Sequence, residues 1–428
     1  MSVIERMPRE RLGIILVCIL NNKETTWRDK LAEFLPWLNV TSDWDEFKAL
    51  PFPKLFLVHH EDLHNHAGKI RGKKWINFCV VDESHRWKAR GSRVSRSGAR
   101  LAGIPKKLIL TGTPIEKQPK DLWAQFRFLA PDIFGKWSDF EETFLLFDNI
   151  DIDEKKFPRG TERWKIRVIQ RGMLRSKAEF DPQKLPKLIR WIKPFCMRLT
   201  KEQAGIQRAN IEQVLVELNP RQRKFYDTMK RDSVIHLPYG ARSMAPMKAT
   251  QLIKRREIAS GFVYDDDGGL HHLGDSKLNQ LVELFYKLPK PIVVFCAFKP
   301  DNDRVTERLR SLGFDIAQLT GSTSRKQKPI TQRAFQKGQY DGIVCQVRAG
   351  GVGIDLWKAT YGIVHSMEYS SITWEQMTSR MDNKFKNTPP KFFVLSADAT
   401  IDMDLYDLVI QKGLDTESVM STLMKGAR

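Results

Sequence analysis

Two adjacent carboxylates follow an apolar run in this sequence: Phe78-Cys79-Val80-Val81 leads into Asp82-Glu83-Ser84-His85. Four apolar residues bounded by polar ones read as a buried strand. Carboxylates at the carboxyl end of a parallel strand sit in the crevice where such sheets bind ligands. Hydrolysis of a nucleoside triphosphate needs one carboxylate near Mg2+ and one group that orients the attacking water. Asp82 suits the metal and Glu83 the water. The plain structural alternative is a helix N-cap at Asp82.

Further segments could serve the same chemistry. Leu108-Ile109-Leu110 runs into Thr111-Gly112-Thr113-Pro114, where small hydroxyl residues and a glycine permit a tight turn beside a ligand or a neighbouring loop. Leu319-Thr320-Gly321-Ser322-Thr323 has the same character. Glycines in Gln346-Val347-Arg348-Ala349-Gly350-Gly351-Val352-Gly353-Ile354-Asp355-Leu356 would let backbone approach a phosphate. Gln376-Met377-Thr378-Ser379-Arg380 ends in an arginine that could stabilise charge on a transferred phosphoryl group. Out of context, Arg380 reads equally as a surface salt bridge.

The elements that must position these residues are short apolar runs at 13–20, 54–58, 78–81, 107–110, 291–295, 342–345 and 361–365. Segments with helical spacing, such as 27–35 and 303–312, lie between them. Strand and helix alternating at this interval predict an α/β fold with parallel sheets. The pattern occurs twice, near 12–130 and 275–400, and the stretch 131–270 reads as helical.

Charge points to an anionic partner. Lys plus Arg is 71 and Asp plus Glu 51 in 428 residues, a formal +20. Between Lys155 and Arg208 there are sixteen basic residues against four acids. Arg86 to Lys107 holds eight basic residues and no acid, with Arg93, Arg96 and Arg100 spaced to share one helix face. Such density without compensating acids suits a phosphate backbone better than a solvated face. Trp164 and Trp191, interleaved with the basic residues, are core or base-stacking candidates. Hydrophobic content of 41% excludes a wholly disordered chain. Five cysteines with no close pair exclude a disulfide scaffold and a Cys-rich zinc site. The longest apolar run, Leu12 to Leu20, is too short to span a bilayer and reads as a strand rather than a signal segment. His59, His60, His64 and His66 lack partners with familiar metal spacing and read as a loop.

Asp-Glu-x-His and Leu-Thr-Gly-Thr-Pro, in this order, resemble motifs II and III of superfamily-two helicases. Residues 346–356 resemble motif V, and 376–380 resemble motif VI. Residues 16–34 resemble motif Ia and its helix, 194–201 resemble the family's basic segment between the lobes, and Asp275-Ser276-Lys277-Leu278 resembles the entry to the second lobe. Together they look like the Swi/Snf-type DNA translocase family, in a compact form closer to its phage and bacterial members. The resemblance implies two RecA-like lobes in tandem, the first truncated at its N-terminus: 1–130, a basic helical insert and linker at 131–270, and 271–428. It implies ATP and Mg2+ as cofactors and duplex or branched DNA as partner, with no membrane association and a bacterial or host cytoplasmic location. By resemblance the catalytic residues are Asp82, Glu83 and Arg380, with Asp82 toward Mg2+. Gly351, Gly353, Asp355 and Gln376 bind nucleotide. His85, Thr111, Gly112 and Thr113 couple the sites. Arg93, Arg96, Arg100 and Arg348 bind DNA.

The departures are specific. The family's Walker A loop, Gly-x-x-x-x-Gly-Lys-Ser/Thr, is absent from these residues, and motif Ia begins near residue 14. Asn383 stands where motif VI has a second arginine, with Lys384 beside it; Ser84 and the Gln346-Val347 pair are milder changes. The expectation therefore divides between a motor whose Walker A comes from an upstream polypeptide and a DNA-binding relative that has lost hydrolysis.

Overall fold

The structure, a computed structural model, describes residues 2–19, 27–115, 119–146, 179–197, 199, 201–324, 326–347, 354–382 and 388–410. They fall into two compact units that divide between residues 198 and 199.

The first unit is built on a parallel sheet of β1 (Gly13–Cys18), β2 (Asn39–Thr41), β3 (Lys54–His59), β4 (Phe78–Asp82) and β5 (Lys106–Leu110), in the order β2-β3-β1-β4-β5. β1 lies at the centre and every residue in it is buried. A strand covered on both faces reads as continuous apolar sequence, which explains Gly-Ile-Ile-Leu-Val-Cys. Its alternate side chains enter two cores. Ile15 and Val17 pack with Phe56, Val81, Phe47 and Trp87, whereas Ile14 and Leu16 pack with Leu55, Val80, Leu31 and Leu35. Each such burial contributes about 1.5–3 kcal/mol. β5 forms an outer edge, carries Lys106 and Lys107, and is largely half-exposed.

Helices Asp121–Leu129, Pro131–Phe134, Trp137–Phe144 and Leu185–Ile192 gather an aromatic core of Trp123, Phe126, Phe134, Phe140 and Phe144. Two short strands, β6 (Leu145–Leu146) and β7 (Glu179–Phe180), pair antiparallel beside them. Trp191 meets Phe144 edge-on at 5.3 Å, so it serves this core. Trp164 lies outside the described residues.

The second unit contains β8 (Asn210–Val216), the hairpins β9 (Val234–His236) with β10 (Arg242–Met244) and β11 (Phe262–Tyr264) with β12 (Leu270–His272), then β13 (Ile292–Cys296), β14 (Ile316–Leu319), β15 (Gly342–Gln346), β16 (Tyr361–Val364) and β17 (Lys391–Ala397). Its parallel sheet runs β14-β15-β13-β16-β17-β8. The fold is the expected pair of parallel-sheet α/β lobes. Residues 131–270, read from sequence as one helical insert, are shared between the two units. β8 belongs to the second sheet because its seven residues pair along β17.

Candidate functional site

The first sheet reverses direction between β1 and β4, since β2 and β3 build to one side and β4 and β5 to the other. The crevice at the carboxyl ends of these strands is where open parallel sheets take ligands. Asp82 ends β4 there. A carboxylate oxygen of Asp82 accepts a hydrogen bond from the Trp27 indole nitrogen at 2.9 Å.

Glu83 follows with φ 53° and ψ 51°, a left-handed conformation unusual for a side chain larger than glycine. The short 3-10 helix Ser84–Trp87 then carries His85 back to the site. His85 Nδ1 lies 3.2 Å from a Glu83 carboxylate oxygen and 3.1 Å from the Thr111 hydroxyl. Nδ1 thus stands between an oxygen of Glu83 and the hydroxyl of Thr111. The Thr111 hydroxyl in turn accepts from the Thr113 backbone nitrogen at 3.1 Å. Glu83, His85, Thr111 and Thr113 are thus one connected chain, and Gly112 lies in its turn.

Two buried struts lie behind this surface. The Ser84 hydroxyl donates to the Gln125 side-chain oxygen at 2.8 Å, and the Gln125 amide donates to the carbonyls of Pro114 at 2.7 Å and Asp121 at 3.1 Å. His60 bridges the indole of Trp87 and the backbone carbonyl of Asp82. Burial pushes its pKa down to about 4, which keeps the ring neutral. The helix Leu63–Ile70, rather than the loop read from sequence, carries His64 and His66, while His59 ends β3. Three apolar positions of that helix (Leu63, Ala67 and Ile70) turn inward, a periodicity that the histidine cluster obscured.

Among the described residues no group of three or more His, Cys, Asp or Glu side chains could hold a metal ion. Asp82 is the carboxylate that ends β4 in this crevice.

The second unit holds the other candidate residues. Gln376 lies on helix Ser371–Thr378 and Arg380 on the 3-10 turn Ser379–Met381 that follows it. The backbone carbonyl of Arg380 accepts from Leu356 at 2.8 Å, which ties this turn to the segment carrying Asp355. Lys201 pairs with Asp382 at 2.8 Å beside it. The carbonyl of Asp355 accepts from the Gln336 amide at 2.6 Å. Gly351, Gly353 and Arg348 lie outside the described residues, as do Asn383 and Lys384. At this sheet's own reversal point, between β13 and β16, polar groups of the chain bond one another. Ser366 bonds the Ala297 nitrogen and Asp301, each at 2.8 Å, and buried Lys277 pairs with Asp402 at 2.5 Å and the His365 carbonyl at 3.1 Å.

The arginine face exists. Helix Arg93–Ala99 is capped by the Ser92 side chain, and Arg93, Arg96 and the C-capping Arg100 are exposed. Its opposite side buries Ser95, Ser97 and Gly98. A Cβ at Gly98 would lie 2.4 Å from the ring of Trp87, so glycine is what allows this helix to approach.

A sequence family described as the SNF2-related domain matches residues 54–260, and the helicase conserved C-terminal domain matches 276–382. The chain belongs to the Swi/Snf-type family of superfamily-two helicases. Relatives in sequence include an uncharacterized ATP-dependent helicase of Mycoplasma genitalium, MG018, 23% identical over 93% of this chain and 36% of that protein. The putative ATP-dependent helicase/translocase YwqA of Bacillus subtilis is 22% identical over 83% of this chain and 37% of its own. The ATP-dependent DNA helicase DDM1 of Arabidopsis thaliana is 22% identical over 88% and 51%. The chain therefore spans about a third to a half of the length of these relatives. The Sulfolobus solfataricus SWI2/SNF2 ATPase core in complex with dsDNA covers 98% of this chain and 84% of its own at 18% identity, with a TM-score of 0.37. Among the described residues of this Swi/Snf-type chain, no helix is long and apolar enough to cross a membrane.

Sequence reasoning missed Trp27, His60, Gln125 and Lys277 as site-building residues. Their signal was chemical rather than positional: polar groups within apolar surroundings, each of which must find a partner.

Proposed function

We propose that this chain is the motor region of a Swi/Snf-type translocase that couples ATP hydrolysis to movement on duplex DNA. The observation that carries the reading is the contact of His85 with both Glu83 and Thr111. It connects the residue suited to orient water with the loop suited to sense DNA.

In this reading Asp82 takes Mg2+, which when bound would neutralise charge on the phosphates. Glu83 orients and deprotonates the attacking water. His85, Thr111, Gly112 and Thr113 transmit the state of the site. Arg380 stabilises charge on the transferred phosphoryl group, while Gly351, Gly353, Asp355 and Gln376 contact the nucleotide. Arg93, Arg96, Arg100 and Arg348 contact DNA phosphates.

The second reading, a DNA-binding relative without hydrolysis, is favoured by one sequence fact: Asn383 stands three residues after Arg380, where an arginine is the family pattern. ATP turnover with and without duplex DNA, alongside Glu83→Gln, separates the two. DNA-stimulated turnover that the variant abolishes, with DNA affinity retained, supports the motor. DNA binding without turnover supports the second reading, unless a polypeptide supplying Walker A restores turnover to the mixture.

A further inference from the structure

His60 stands at the turn after β3, with no part of it exposed to solvent. Its ring makes two hydrogen bonds. Trp87 Nε1 lies 2.9 Å from His60 Nδ1, and His60 Nε2 lies 2.8 Å from the backbone oxygen of Asp82. An indole nitrogen only donates. His60 Nδ1 therefore accepts and carries no proton, and Nε2 carries the ring's single hydrogen and donates it to the Asp82 carbonyl. Hydrogen-bond accounting alone fixes one neutral tautomer.

That carbonyl belongs to the peptide linking Asp82 to Glu83. The φ angle of Glu83 is the rotation about the bond that immediately follows this peptide plane, so fixing the plane constrains φ. Glu83 holds φ at 53°, which a residue with a Cβ keeps only when its surroundings over-determine it. Other restraints on this turn include the Arg86 nitrogen, which donates to the Glu83 carbonyl at 3.1 Å, and the pairing of Asp82 with Leu110 on the strand. The bond from His60 acts directly on the peptide entering Glu83. A ring serving only as core filling would need no donor directed at this carbonyl, and no partner to choose its tautomer.

We propose that His60 is a positioning residue for hydrolysis: by holding the Asp82 carbonyl it keeps Glu83 in the left-handed turn that brings its carboxylate to His85, and Trp87 sets the tautomer that does so. This rests on the role given to Glu83 above. Ser84 and Gln125 restrain the same loop from the opposite side but act after Glu83, so they cannot replace this contact.

The test reads the turn directly. In protein carrying isotope-labelled histidine and glutamate, His60 should show an unprotonated Nδ1 and a protonated Nε2. The Glu83 signals, assigned by their loss in Glu83→Gln, should show the carbon shifts of a left-handed residue. His60→Phe keeps a ring but removes the donor, and should move those shifts to right-handed values. His60→Gln, whose amide can donate, should restore them. Where turnover is measurable, His60→Phe should lower kcat about tenfold or more with little change in the KM for ATP. Should His60→Phe fail to fold, Trp87→Phe decides: it should add the second tautomer of His60 and a second set of Glu83 signals. Unmoved Glu83 shifts in folded His60→Phe, a single unchanged set in Trp87→Phe, or an Nδ1-protonated His60 in the unmutated protein would each overturn the proposal. Absence of turnover in the unmutated protein would count against the hydrolysis reading, while the Glu83 shifts would still decide the role of His60.

Discussion

The Trp27 indole nitrogen lies 2.9 Å from a carboxylate oxygen of Asp82, joining the segment after β1 to the end of β4. The contact spans the reversal point of the first sheet, and it holds one oxygen of the carboxylate proposed to receive Mg2+. Hydrogen bonds to ionised groups are about twice as strong as neutral ones. Removing this one with Trp27→Phe should release the orientation of Asp82. The Mg2+ concentration needed for half-maximal turnover should rise several-fold, with little change in the rate at saturating Mg2+. A magnesium titration of turnover checks this, and a lowered requirement would show that the indole competes with the ion instead.

The buried pair Ser84 and Gln125 offers a cleaner energetic test. Gln125→Leu leaves the Ser84 hydroxyl without its acceptor in a site where neither residue is exposed. The expected cost is about 1–3 kcal/mol in urea denaturation. Ser84→Ala together with Gln125→Leu removes both partners and should recover the part of that loss due to the stranded hydroxyl, while the part from the lost donation to the Pro114 carbonyl remains. If the double variant is as unstable as the two single costs summed, the pair is not coupled.

His60 also predicts a pH dependence. Its folded pKa of about 4 lies below the ordinary 6.5, chiefly because burial disfavours the charged ring, although the bond to the Asp82 carbonyl partly opposes this. Between those values the unfolded chain takes up a proton that the folded chain refuses. Stability is therefore at its full value above pH 6.5 and falls as pH drops through this window, by about 3 kcal/mol in total. Urea melts at several pH values should show the slope in the unmutated protein and a shallower one in His60→Gln. Parallel slopes would remove His60 as its source.

Gly98 and Trp87 set how closely the arginine helix can approach. Gly98→Ala would place a methyl group 2.4 Å from the indole ring, and should destabilise by about 1–3 kcal/mol. The smaller ring of Trp87→Phe should relieve part of that cost when the two changes are combined. Thermal denaturation of the single and double variants measures it, and a fully additive loss would place the strain elsewhere.

For the arginine face itself, Arg93→Gln, Arg96→Gln and Arg100→Gln combined should weaken duplex DNA binding and flatten its salt dependence. If each arginine meets one phosphate, the slope of log affinity against log salt should fall in magnitude by about 2.7. Fluorescence anisotropy over a range of salt concentrations checks this. An unchanged slope would move the DNA surface away from this helix.

Much of this architecture was legible in the residues. Strands covered on both faces are unbroken apolar runs, and β1, β3, β4, β5, β13, β15 and β16 fall within a residue or two of their expected positions. β8 escaped because an edge strand mixes Glu212 and Gln213 with its apolar residues, and its place depends on pairing with β17, about 180 residues away in sequence. β17 itself had a signal, Phe392-Phe393-Val394-Leu395 after Pro389-Pro390, that should have marked it. At the site, Asp82, Glu83 and His85 were visible because motif chemistry is local in sequence. The contacts of Trp27, His60 and Gln125 were not, since each crosses more than twenty residues to reach its partner on or beside this loop.

Lys106 of β5 has a consequence for how the protein behaves at high concentration. Among the described residues β5 ends its sheet, and an outer strand offers unpaired backbone groups to any other strand that arrives. Lys107 is drawn inward, its ammonium donating to the Ala102 carbonyl at 2.6 Å, so exposed Lys106 is the lysine charge left on that border. Two molecules meeting edge to edge there would bring two ammonium groups together, so mutual repulsion guards a surface that hydrogen bonding would otherwise make adhesive. Replacing Lys106 by valine would weaken that guard, and the first symptom would be turbidity rather than lost activity.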